Sequence, residues 1–185
     1  MIDEQKIREY VKKAHYVASR HGFHDQKHSN EHWLCLVISE VMESVEADRK
    51  GHRANREAFE REAVKRQMPG HNIEHRRFHF NQFIKDSIED EIADAAIRIF
   101  DFIGELYGDR MVYTFGGASR FAVASFPETA FRFVKEVLGD RMIELSESIE
   151  YLYAWAESLN FDLDWHIEWK MRYNVFRPKL HGKSY

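Results

Sequence analysis

Two pairs of acidic residues have a spacing that metal chemistry on helices can use. Glu40 and Glu43 stand three apart, and Glu91 and Asp94 repeat the interval further along. On an α-helix this places both side chains on one side, about a turn apart. Each pair borders an apolar stripe. Like charges at this spacing destabilise an isolated helix by roughly 0.2–0.5 kcal/mol. Facing one another when partly buried, the four carboxylates would cost several kcal/mol more unless neutralised. A divalent cation removes that penalty, and oxygen donors with no nearby cysteine suit Mg²⁺, or Mn²⁺, better than zinc. In so charged a chain the same spacing also describes a solvated helix face. The neighbouring acids Glu46, Asp48, Asp86, Glu89 and Asp90 are open to either reading. Di-iron helical bundles use Glu-x-x-His on two helices, and that motif occurs nowhere in the chain.

A second group lies near the C-terminus. Trp165, Trp169, Tyr173 and Phe176 form an aromatic stripe, with His166, Lys170, Asn174 and Arg177 as a polar stripe beside it. Lys170 and Arg177 are suited to phosphate oxygens, Arg177 through two donors at once. Asn174 offers a donor and an acceptor to a base edge or sugar. Lys179, His181 and Lys183 carry the positive charge into a basic tail over 179–185, expected to be flexible. A helix C-terminus is also enriched in cations through the macrodipole alone. Paired with an acidic metal site, the segment reads as a substrate clamp. Other groups carry less weight. His71, His75 and His79 fall in a polar stretch, and His21, His24, His28 and His32 are scattered through a loop. Gly116-Gly117 lacks the strand–turn–helix context of a phosphate loop.

Helices must position these residues. Apolar periodicity predicts a first helix from about Asp3 to Arg20 and a second beginning at Asn30 as its N-cap. In the second, Leu34, Val37, Ile38, Val41 and Val45 form the stripe and Gly51 the stop. A third helix is predicted from about Phe80 to Tyr107 on Ile84, Ile88, Ile92, Ala95, Ile99 and Ile103. A short helix is expected from Pro127 to Leu138, and further helices from Asp140 to Leu159 and from Asp162 or Asp164 to Phe176. Residues 52–79 are rich in Arg, Glu and His and read as a partly helical, largely exposed insertion between the second and third main helices. Residues 111–126 read as a loop. The class is all-α, a bundle of four to five main helices in one domain over 1–185.

Composition narrows the function. The chain has 185 residues and a formal net charge of −4, so no general electrostatic case exists for a nucleic-acid polymer as partner. The longest apolar run, Trp33 to Ile38, is far too short to span a bilayer. Cys35, the only cysteine, excludes an internal disulfide and a cysteine-rich zinc site, and its apolar neighbours predict burial. With no apolar signal core over Met1 to Tyr10, a cytoplasmic location without membrane association is expected.

The ordered set of motifs resembles the MazG-like all-α nucleoside triphosphate pyrophosphohydrolases. Glu40-Val41-Met42-Glu43 matches the first element, Glu91-Ile92-Ala93-Asp94 the second, and Lys170, Asn174 and Arg177 the third. The resemblance implies an α-helical core and a homodimer or dimer of dimers. It implies Mg²⁺ held by Glu40, Glu43, Glu91 and Asp94 and a nucleoside triphosphate bound by Lys170, Asn174 and Arg177; the expected mechanism adds Glu40 as base or additional ligand and Lys179 and Lys183 of the basic tail as further phosphate contacts. The implied reaction is cleavage between the α- and β-phosphates to a monophosphate and pyrophosphate. Ser39 stands where the family often has a further acid, and the interval from Glu43 to Glu91 is longer than usual. A non-catalytic nucleotide- or metal-binding regulator on the same scaffold is the alternative.

Overall fold

In a computed structural model, residues 2–65, 73–116, 121–122, 124–182 and 184 are described, and among them the only regular structure is helical. The protein is all-α. The long helices are α1 (Glu4–Arg20), α2 (Asn30–Arg49), α5 (Ile88–Leu106), α7 (Met142–Ser158) and α8 (Leu163–Asn174). Shorter ones are α3 (Arg56–Phe59), α4 (Ile73–Phe83) and α6 (Phe126–Arg132), with π-turns extending α3 to Lys65 and α6 to Val137. No helix among the described residues is long and apolar enough to cross a membrane.

α5 is the central helix. Ile88, Ile92, Ala95, Ala96, Ile99 and Ile103 are buried along it, and it packs against α1, α2, α7 and α8. α1 contributes Ile7, Val11, Ala14 and Ala18 at helical spacing, and the Asp3 carboxylate caps its first turn by accepting from Gln5 and Lys6 N–H. α2 is capped by Ser29, not Asn30. The Ser29 hydroxyl accepts from His32 N–H, while the Asn30 side chain donates to Asp140 at 2.9 Å. α2 is also rotated from the expected stripe. Trp33, Val37, Glu40, Val41, Ser44 and Ala47 face inward, which leaves Cys35 exposed rather than buried. Two positions from both Trp33 and Val37, Cys35 lies across the helix from the core.

The expected helix from Phe80 to Tyr107 is two helices. Asp86 adopts a left-handed conformation, φ 60°, and Ser87 starts α5 as an extended N-cap. The unbroken four-residue interval from Ile84 to Ile88 conceals the break, because the two side chains enter different cores. Ser87 is fully buried and its hydroxyl accepts from Asp90 N–H at 3.2 Å. Ser87→Ala is therefore expected to lower stability by about 1 kcal/mol, the usual worth of an N-cap. A shift of the urea midpoint at unchanged slope would check it.

The described residues of 52–79 are partly helical, as expected, but not all of them are exposed. Phe59 and Ala63 join Phe80, Ile84 and Tyr173 in a second core, with Trp165 and Trp169 packed against it. Phe59 meets Trp169 edge-on at 4.9 Å, and Phe80 stacks on Tyr173 at 4.7 Å. Part of the predicted aromatic stripe on α8 is thus structural. His71 lies outside the described residues. The C-terminal segment is also tied down. Leu180 N–H donates to the His21 carbonyl at 2.8 Å, and the His181 ring packs edge-on against His21 and Phe23.

Candidate functional site

One cleft gathers all four predicted acids. Glu40 and Glu43 reach it from α2, Glu91 and Asp94 from α5, and Lys170, Asn174 and Arg177 from α8 and the residues after it. On α5, Asp90, Asp94 and Arg98 recur at four-residue intervals along one face, and Glu91, Asp94, Arg98 and Asp101 line the cleft. Glu40 is 5 % exposed and Glu91 4 % exposed, whereas Glu43 lies at the open edge. One carboxylate oxygen from each of Glu40, Glu43 and Glu91 falls within 4.8 Å of the others. Asp86, Asp90 and Glu91 form a second such group, so Glu91 is common to both.

Asp94 belongs to neither group, because it is engaged elsewhere. Lys170 is 3 % exposed, and its ammonium lies 2.5 Å from Asp90 Oδ2 and 2.8 Å from Asp94 Oδ2. Burial alone disfavours the charged lysine, but Asp90 and Asp94 overcome it and raise the Lys170 pKa. Burial likewise pushes Asp94 up, and the Lys170 ammonium outweighs it, so the net shift is downward. Asp90 goes the other way, to about 6, through burial and despite Lys170, with Asp94 adding repulsion. Lys170 is therefore the buried counter-ion of two aspartates and not the free phosphate clamp that its sequence position suggested. Asp90, read there only as an ambiguous neighbour, is its closer partner.

The other predicted contacts divide. Asn174 is buried in the cleft wall, and its Oδ1 has no hydrogen-bond partner among the described residues. Arg177 lines the cleft and donates to the His181 carbonyl at 3.3 Å. Lys179 points away, pairing with Asp25 at 2.5 Å. Lys183 lies outside the described residues. Two lining cations were not singled out from the sequence. Arg98 Nε donates to Glu40 Oε1 at 3.1 Å, with the guanidinium 4.9 Å from the Phe23 ring, and Lys85 pairs with Asp86. Arg98 stands four residues beyond Asp94, a signal available to anyone extending that face by one turn. The same helix continues to Asp101, which also lines the cleft.

The donor set fits a hard divalent cation. The Glu91 carboxyl is pushed up to about 9, first by burial and then by Asp94, with Lys170 only partly offsetting them. Asp90 Oδ1 is buried without a hydrogen-bond partner among the described residues. Both observations mark uncompensated negative charge or acceptor capacity, which a cation offsets. Oxygen-only donors at this density suit Mg²⁺ or Mn²⁺. No family model matches the chain, and neither a curated protein nor a solved structure matches it.

Proposed function

We propose that the protein is a Mg²⁺- or Mn²⁺-dependent nucleoside triphosphate pyrophosphohydrolase, releasing a monophosphate and pyrophosphate. The observation that carries this reading is the meeting of Glu40, Glu43 and Glu91 within 4.8 Å in a cleft that Arg98 and Arg177 also line. The motif order that resembles MazG-like enzymes supports it, and assembly as a homodimer or dimer of dimers belongs to the same proposal.

Glu40, Glu43 and Glu91 would hold the cation, with Asp94 joining them if Lys170 shifts toward Asp90. A divalent cation there supplies charge to the phosphates and acidifies a bound water. Glu40, oriented by Arg98, takes the proton from the attacking water. Arg98 and Arg177 neutralise charge on the departing pyrophosphate, a role the sequence alone assigned partly to Lys170. Asn174, with its unpartnered Oδ1, orients the nucleoside.

Pyrophosphate release from a panel of ribo- and deoxyribonucleoside triphosphates with Mg²⁺ tests the reading. We expect turnover of at least one, and a loss of about tenfold or more in Glu43→Ala and Asp94→Ala. Release unchanged in both variants would remove these acids from the site. One contact favours a second reading. The Ser39 hydroxyl donates to Glu43 Oε1 at 3.4 Å, occupying an acid otherwise open to the cleft. A nucleotide- or metal-binding regulator would bind Mg²⁺ and triphosphate yet release no pyrophosphate from any member of the panel.

A further inference from the structure

A different set of ligand-bearing side chains lies where α1, the loop after it and the far end of α5 meet. Asp101 is 2 % exposed, and its Oδ1 is 3.1 Å from His15 Nδ1 and 2.8 Å from His24 Nε2. A carboxylate oxygen accepts, so His15 carries a proton on Nδ1 and His24 carries one on Nε2. The other nitrogen of His24, Nδ1, then faces Glu105 Oε2 at 3.2 Å. One donor atom from each of His15, His24 and Glu105 lies within 4.8 Å of the others.

We propose that His15, His24 and Glu105 form a site for Zn²⁺ or a similar imidazole-preferring divalent ion, with Asp101 behind the two rings. Four observations support it, and the site shares only Asp101 with the wall of the acidic cleft. The donor set mixes imidazole with carboxylate, which selects transition ions over Mg²⁺. Asp101 bonds a nitrogen of each ring, the arrangement by which a carboxylate fixes the tautomer and raises the basicity of a metal-binding histidine. The fold makes room for it. A Cβ on Gly104 would fall 2.5 Å from the Cβ of His15 and 2.7 Å from its Cγ, so this helical position must lack a side chain for His15 to seat. Trp33 stacks on His24 at 4.7 Å and holds that ring in place. The ion would clip the loop carrying His24 to α1 and α5.

Equilibrium dialysis of the full chain against Zn²⁺, with Mg²⁺ in large excess to occupy the acidic cleft, tests the site. About one equivalent of Zn²⁺ per chain is expected. Affinity should fall by about 10–100-fold in Asp101→Asn, and at least tenfold in His24→Ala. Asp101 is buried and its variant can lose the fold, so Glu105→Gln, at an exposed position, carries the same expectation of at least a tenfold loss. Glu43→Gln should retain the zinc. Absence of zinc binding by the unaltered protein overturns the proposal. So does unchanged affinity in both His24→Ala and Glu105→Gln, or loss of zinc in Glu43→Gln.

Discussion

Lys170→Met is expected to lower the unfolding free energy of the metal-free protein by about 3–5 kcal/mol, the cost of breaking a buried ion pair from one side. The ammonium is in contact with both Asp90 and Asp94, and almost none of the side chain reaches solvent. Methionine fills similar volume and makes the same apolar contacts with its stem, so the loss isolates the charge. It leaves two carboxylates close together in a poorly solvated site, beside Glu91. Urea denaturation at neutral pH measures the effect. Lys179→Met provides the contrast, since the pair with Asp25 is 69 % and 55 % exposed at its side chains. That substitution should change stability by no more than about 1 kcal/mol. A comparable small change for Lys170→Met would mean that the Asp90 and Asp94 charges are relieved by something other than this lysine. Adding Asp90→Asn to Lys170→Met should recover part of the loss, because it removes one of the stranded charges.

Glu91→Gln should produce the second large effect, with opposite signs for stability and for the proposed activity. The Glu91 pKa in the folded protein is about 9, against an ordinary value of 4.5. Below about pH 4.5 the carboxyl is protonated in both folded and unfolded chains. Between that pH and about 9 the unfolded chain gives up its proton while the folded chain retains it, so stability falls as pH rises across the interval. The decline attributable to Glu91 is on the order of a few kcal/mol at neutral to mildly alkaline pH. Asp90, pushed up to about 6, adds a smaller decline at the acidic end. Gln cannot ionise, so the metal-free variant should be more stable than the unaltered protein at pH 8 and nearly equal to it at pH 4.5. Mg²⁺ should stabilise the unaltered protein at pH 8 and do so much less in the variant, because the cation offsets the same charge. Pyrophosphate release should fall by about 100-fold or more. Thermal unfolding with and without Mg²⁺ across this pH range, alongside the release assay, checks both signs. A variant no more stable than its parent at pH 8 would mean that Glu91 is already relieved in the metal-free state.

These two residues illustrate how far the sequence reaches. Helical class and the sharing of a face by Glu40 with Glu43, or by Glu91 with Asp94, follow from spacing, since residues three or four apart are neighbours on any helix. The placement of Asn174 and Arg177 toward one cleft with those acids was also legible, because a polar stripe beside an aromatic one marks the edge of a packed face. The break at Asp86 and Ser87 was not legible. Ile84 and Ile88 keep perfect helical spacing across it, and periodicity carries no record of which core each side chain enters. The outward turn of Cys35 was missed for a related reason. α2 is apolar over more than one face, and only packing against α5 decides which face is buried.

The sequence by itself determined the helical class, the acid-rich faces and the cations available near them. Tertiary structure decided who neutralises whom. Lys170 meets an aspartate 80 positions away, Arg98 meets Glu40 across 58, and His15 meets Asp101 across 86. Local spacing specifies faces because its geometry is set within a helical turn. Charge pairing is set by which helices pack together and in what rotation, and that depends on apolar burial distributed over the whole chain. The acidic pairs that open the sequence as a metal site are therefore only partly one in the structure. Glu40, Glu43 and Glu91 converge on each other, while Asp94 is shared with Asp90 by a buried lysine.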